Sequence, residues 1–153
     1  MLHVTLEKRA TLRFGALGEH ELERGKYLYV GSARRGIAAR VARHEKLAGT
    51  KTGRTHWHID YLLIHPQCRL TRIEVVPGAE ECSVSQRIAR REGATAPIPG
   101  FGASDCRSGC PAHLYRMGKT TTSSHSRLRS CERIGDIPNF PTCSAESDGS
   151  TSG

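Results

Sequence analysis

Aromatic side chains are scarce in this chain of 153 residues, with one tryptophan, three phenylalanines and four tyrosines making up 5% of it. A core built without large rings has to be small and aliphatic, and the length supports one domain with a real core but not comfortably two. Long apolar runs are also missing. None approaches the roughly 18 residues of a membrane-spanning helix, and no basic-then-apolar leader opens the chain, so a soluble, cytoplasmic protein is expected. Acids are in short supply, at 15 against 23 lysines and arginines, for a net charge of +8. Six cysteines (Cys68, Cys82, Cys106, Cys110, Cys131 and Cys143) occur; in a reducing compartment they read as free or metal-bound thiols rather than disulfides.

The positive charge is unevenly placed. Up to Met117 there are 19 basic residues against 11 acids, and the remainder carries four of each sign. Between Arg34 and Arg54 lie seven basic residues and a single acid, Glu45. A local excess of this kind is the electrostatic footprint of a polyanion, most often nucleic acid, or else a solvated helix face.

Residues 2–6 (LHVTL) and 10–14 (ATLRF) read as a hairpin across the charged turn EKR. A third strand, KYLYV, closes on Gly31 and Ser32, and a helix follows with Ile37, Val41 and Ala48 at near-helical spacing. Arg40 and His44, four apart, share one face of that helix. HWHIDYLLIH and LTRIEVV read as two further strands, and EECSVSQRIARR as a helix with Val84 and Ile88 facing inward. The order β, β, β, α, β, β, α predicts a small α/β or α+β domain, residues 1–117, with a mainly antiparallel sheet. Residues 118–153, with thirteen Ser or Thr and little apolar periodicity, are expected to be a disordered tail.

The stretch YLYVGSARRGIAARVARH places a phenol, a tight turn and a cationic helix face at one strand-to-helix junction. That combination suits a held phosphate. The same residues resemble the GIY-YIG nuclease superfamily: Tyr29-Val30-Gly31 matches the second half of the family's name, and Arg40 and His44 match its first helix. The likeness is to one branch above all, the small single-domain Uri superfamily endonucleases. It extends through GKYLYVGSA, HWHIDYLL, Glu81-Cys82, FGASDC and CPAHLY, covering about residues 1–116.

The resemblance implies an endonuclease that hydrolyses DNA phosphodiesters with one divalent ion, magnesium or manganese. Tyr29 would orient or help activate the attacking water, Arg40 would hold the scissile phosphate, His44 would assist in proton handling, and Glu81 would bind the metal. A guanidinium can grip two phosphate oxygens, and a hard cation prefers a carboxylate. Gly31, Ser32, Arg34, Arg35, Arg43, Lys46, Lys51, Arg54, His56 and His58 would form the nucleic-acid track. The family's first motif, Gly-x-Tyr, has no counterpart at LHVTL; either the true start lies upstream or one active-site tyrosine is lost, with Tyr27, on the same strand face as Tyr29, as a substitute. A catalytically silent nucleic-acid-binding module on the same fold is the alternative that this departure raises.

Two other groups suit metals. Strand alternation in HWHID would put His56, His58 and Asp60 on one face, a set with transition-metal ligands. Cys106, Cys110 and His113, completed by Cys82, would make a structural zinc site, and with it a zinc-containing interaction protein as a third reading.

Overall fold

The computed structural model describes residues 1–33 and 36–118. The tail expected to be disordered, from 119 onwards, and Arg34 and Arg35 lie outside the described residues. The elements run β1 (Leu2–Leu6), β2 (Ala10–Arg13), β3 (Glu19–Leu22), β4 (Gly25–Tyr29), α1 (Ile37–Thr50), α2 (His58–Leu63), β5 (Cys68–Ile73), α3 (Glu81–Ala89), β6 (Ala94–Thr95) and β7 (Leu114–Met117). The fold is α+β. Its five-stranded sheet has the order β5-β1-β4-β7-β6, with each neighbouring pair antiparallel.

Period-two alternation in the strands splits the core between the two faces of this sheet. Tyr27 and Tyr29 of β4 join Leu2, Val4 and Leu6 of β1 on one face, where α2 supplies Ile59, Leu62 and Leu63 and α1 supplies Leu47. Leu28 and Val30 point the other way and meet Val84 and Ile88 of α3 and Tyr115 of β7. Each fully buried aliphatic or aromatic side chain of this kind contributes about 1.5–3 kcal/mol over leaving it in water. Because β4 lies inside the sheet with helices on both faces, its end at Tyr29 is the place where α1, α3 and the approach to β7 meet. No helix among the described residues is long and apolar enough to cross a membrane.

Two expected elements differ. The hairpin of residues 2–14 does not form, because both edges of β1 are taken by β4 and β5. Instead β2 pairs with β3 in a separate two-stranded ribbon, Ala10 opposite Leu22 and Arg13 opposite Glu19. The turn between those strands is enforced by Gly15 and Gly18, at φ 55° and 83°, which the sequence pattern signals only as a polar loop.

The segment HWHIDYLL is helical rather than extended. Asp60 Oδ2 accepts the backbone N–H groups of His56 and Trp57 at 2.7 and 2.8 Å, tying off the free donors at the start of α2. The buried residues Ile59, Leu62 and Leu63 then fall at i, i+3 and i+4. The expected strand face carrying His56, His58 and Asp60 therefore does not exist: Asp60 is wholly buried, whereas His56 is exposed and His58 half-buried.

Candidate active site and an adjoining thiol cluster

Strand β4 delivers Tyr29 to a crowded position. A Cβ on Gly31 would lie 3.0 Å from Tyr29 Cε1 and 3.1 Å from Arg40 Nη2, and one on Gly102 would lie 3.0 Å from Tyr29 Cε2. The ring also meets Phe101 edge-on at 6.2 Å. Burial pushes the phenol up to about 12, with the charges of Glu81 and Asp60 adding to the shift and Arg40 opposing it. Tyr29 is thus a neutral hydrogen-bonding hydroxyl at physiological pH. Gly31→Ala is expected to displace the Arg40 guanidinium, the freer of its two neighbours. A misplacement of about 1 Å would cost about 10²-fold in any reaction that needs that group, with a small change in melting temperature; kinetics beside a thermal melt check it.

Arg40 is held from three sides. Its Nη1 donates to the Ser32 carbonyl, its Cζ lies 4.3 Å from the centroid of the Trp57 ring, and its Nε makes a long contact of 3.5 Å to His44 Nε2. The stacking is a cation–π contact that fixes the plane of the guanidinium. His44 is buried, and its Nδ1 faces Asp60 Oδ1 at 3.3 Å. A proton on Nδ1 leaves Nε2 as the acceptor that Arg40 needs. His44 does not line the cavity described below and is a positioning residue for Arg40.

Asp60 anchors this arrangement. Besides His44 and the two backbone donors, its Oδ1 accepts Arg43 Nη1 at 2.9 Å. Burial alone would raise the carboxyl, but the close His44 ring and the hydrogen bonds from Arg43, Trp57 and His56 outweigh it and hold the group well below the usual carboxylate range.

Glu81 reaches the same place from the first turn of α3. Its Oε2 accepts the Ser32 hydroxyl, and its Oε1 lies 3.0 Å from His113 Nδ1. Burial pushes this carboxyl up, and the His113 and Ser32 contacts with the Arg40 charge more than reverse the shift, so it is ionised at neutral pH. Tyr29, Ser32, Arg40, His58 and Glu81 line one cavity of about 330 Å³, with Trp57, His56, Gly102, Ser104 and Asp105 completing its wall. His58 Nδ1 accepts the Gly102 N–H at 3.1 Å, and burial lowers its proton affinity. The neutral ring therefore carries its proton on Nε2.

Several residues expected at the site are elsewhere. Tyr27 is buried, its hydroxyl donates to the Glu23 carbonyl, and it does not line the cavity. The Lys51 ammonium is spent on the carbonyls of Leu63 and Cys68, and Arg43 on Asp60 and the Arg54 carbonyl. Lys46, Arg54 and His56 do lie together, in a hollow of about 520 Å³ that shares His56 with the cavity. A larger hollow, about 700 Å³ along edge strand β5, holds Arg69 and Arg72, but these pair with Glu7 and Glu74. Trp57, Gly102 and the His113–Glu81 contact escaped the sequence reading. The spacing of Trp57 and Asp60, a helix cap and its third residue, was the one available signal for the capping role of Asp60.

Behind Glu81, the ligand atoms of Cys82, Cys106, Cys110 and His113 lie within 4.8 Å of one another, with Cys82 Sγ and Cys106 Sγ 3.6 Å apart. This set could hold a metal ion. The backbone N–H groups of Cys110 and Ser108 hold the Cys106 thiol down at about 6, whereas burial pushes Cys110 up. Cys68 stands apart from the cluster, fully buried, its thiol pushed up to about 11 by burial against the smaller opposing effect of Lys51.

The fold and site together define an α+β protein with a charged cavity at the end of a central strand and a thiol–imidazole cluster beside it. The family model for the domain of unknown function DUF123 matches residues 1–135, and the chain belongs to that family. No curated protein and no solved structure matches.

Proposed function

We propose that this chain is a divalent-metal-dependent endonuclease that hydrolyses DNA phosphodiesters with low sequence specificity, as its resemblance to GIY-YIG nucleases implies. The observation that carries the reading is the convergence of Tyr29, Arg40 and Glu81, distant in sequence, on one cavity of about 330 Å³. Arg40, stacked and oriented, presents a planar donor pair to the scissile phosphate and offsets the charge that develops on its oxygens. Tyr29, neutral and wedged between two glycines, orients the attacking water. The Nε2–H of His58 donates to a phosphate oxygen.

Glu81 and Asp105 supply carboxylates to the wall, a hard-oxygen set that fits magnesium or manganese. When bound, such an ion acts as a Lewis acid toward the phosphate and leaving oxygen. The thiol cluster suits zinc instead. Three sulfurs and one imidazole form a closed structural set, and the 3.6 Å sulfur separation is close to the edge of about 3.8 Å that a tetrahedron with Zn–S of about 2.3 Å requires. A cytoplasmic setting keeps those thiols reduced.

Lys46, Arg54 and His56 continue from the cavity as the track for neighbouring phosphates. Phosphate contacts position a strand without reading its sequence, which accounts for low specificity. DNA binding should weaken with salt, and Lys46→Ala should reduce the slope of log K against log salt by about 1. Filter binding across a salt series measures this; a slope unchanged by the substitution removes Lys46 from the track. Cleavage of single-stranded, duplex and branched DNA, with and without magnesium or manganese, tests the enzyme. Salt-sensitive binding without any product would mark a silent binding module instead.

A further inference from the structure

Glu81 and the thiol cluster are not merely neighbours. His113 sits between them, 3% exposed. Both ring nitrogens are buried without an aligned hydrogen bond, but Nδ1 lies 3.0 Å from Glu81 Oε1, whereas Nε2 has no such neighbour among the ion pairs of the described residues. A buried ring nitrogen left unpaired is destabilising, so Nε2 has either a ligand or a penalty. The available ligand is an ion shared with Cys82, Cys106 and Cys110, whose sulfurs complete a set within 4.8 Å. Metal-bound imidazoles characteristically give their second N–H to a carboxylate, which fixes the ring and raises its basicity.

We propose that Glu81 is the carboxylate partner of a zinc-bound His113, so that one side chain serves the zinc centre through Oε1 while facing the catalytic cavity. Cys82 follows Glu81 directly on the first turn of α3, Cys106 and Cys110 come from the segment between β6 and β7, and His113 directly precedes β7. An ion held by these four ties together the backbone segments that set where the carboxylate lies. The Ser32 hydroxyl holds Oε2 from the other side, and each oxygen keeps a lone pair for a second cation. The zinc half of this inference stands on the cluster's geometry; the catalytic half rests on the nuclease reading.

Loss of zinc is not expected to unfold the protein. Val84 and Ile88 still pack α3 on the sheet, and Ser85 Oγ still bonds Tyr115 OH at 2.7 Å and the Ala112 carbonyl at 2.9 Å. The coupling can therefore be read in folded material, by competition for zinc with a chromogenic chelator. The full chain should hold one zinc, and Glu81→Gln should bind it about 10–100-fold more weakly. His113→Cys provides the control: four thiolates still make a closed zinc site, but no imidazole links it to residue 81, so adding Glu81→Gln to that variant should leave zinc affinity unchanged. Wild type without zinc, Glu81→Gln with wild-type zinc affinity, or an equal loss on the His113→Cys background would each overturn the inference. Zinc coupled to Glu81 in a chain that leaves DNA uncut would uphold the zinc link and overturn the nuclease reading alone.

Discussion

Arg40→Ala is expected to lower kcat/KM for the proposed phosphodiester cleavage by about 10³-fold, the scale seen when one preorganised donor to a developing oxyanion is removed. The side chain is suited to that role because its geometry is settled before substrate arrives. Trp57 fixes the guanidinium plane at 4.3 Å, the Ser32 carbonyl takes Nη1, and His44, backed by buried Asp60, meets Nε. Arg40→Lys should recover little of the loss, since an ammonium keeps the charge but not the plane, the paired donors or the stacking. Stability should fall only slightly in either variant. The lost cation–π contact is worth about 0.5–1 kcal/mol, and the Ser32 carbonyl can turn to water. Kinetics beside thermal melts separate the two effects; a large drop in melting temperature would show Arg40 to be structural.

Asp60→Ala has the opposite signature, a large loss of stability. The carboxylate is fully buried and accepts from Arg43, His56 and Trp57 while facing His44. Deleting it leaves a cationic and several neutral donors without a partner. Breaking a buried pair from one side costs about 3–5 kcal/mol, or about 10–20 °C in melting temperature for a domain of this size. The pH dependence follows from the direction of the shift. Since the folded carboxyl lies below its unfolded value near 3.8, its stabilisation is complete above that value and is lost as pH falls through the folded value. Melts from pH 7 down to pH 2 should show acid destabilisation in wild type that is reduced in Asp60→Asn. Equal acid sensitivity in the two would place the acid-labile group elsewhere.

The parts of the fold that could be read from sequence are those with an undivided pattern. The run KYLYV, closed by Gly31, corresponds to β4, and Val84 and Ile88, four apart, to α3. The segment 56–63 misled because its histidines and tryptophan alternate like a strand while Ile59, Leu62 and Leu63 keep helical spacing. Asp60 decides between these by capping the helix, a tertiary commitment to Arg43 and His44 that composition does not record. Pairing was hidden for a similar reason. The turn after Leu6 looks like a hairpin, but β1 is apolar enough to take a partner on both edges. At the site, the offset from Tyr29 to Arg40 places strand end and helix face together and was visible. Glu81 entered only through the family resemblance, because nothing local separates it from an ordinary first-turn acid favoured by the helix dipole. The basic run was over-read: charge counts do not show that Lys51 and Arg43 are spent on internal acceptors.

The nuclease claim meets its most direct test in an end-labelled DNA strand incubated with manganese and either the wild-type chain or Glu81→Gln. Wild type should yield shortened fragments whose formation stops when the ion is chelated, and folded Glu81→Gln should yield none. Equal cutting by both chains, or intact DNA with wild type across single-stranded, duplex and branched forms, would contradict it.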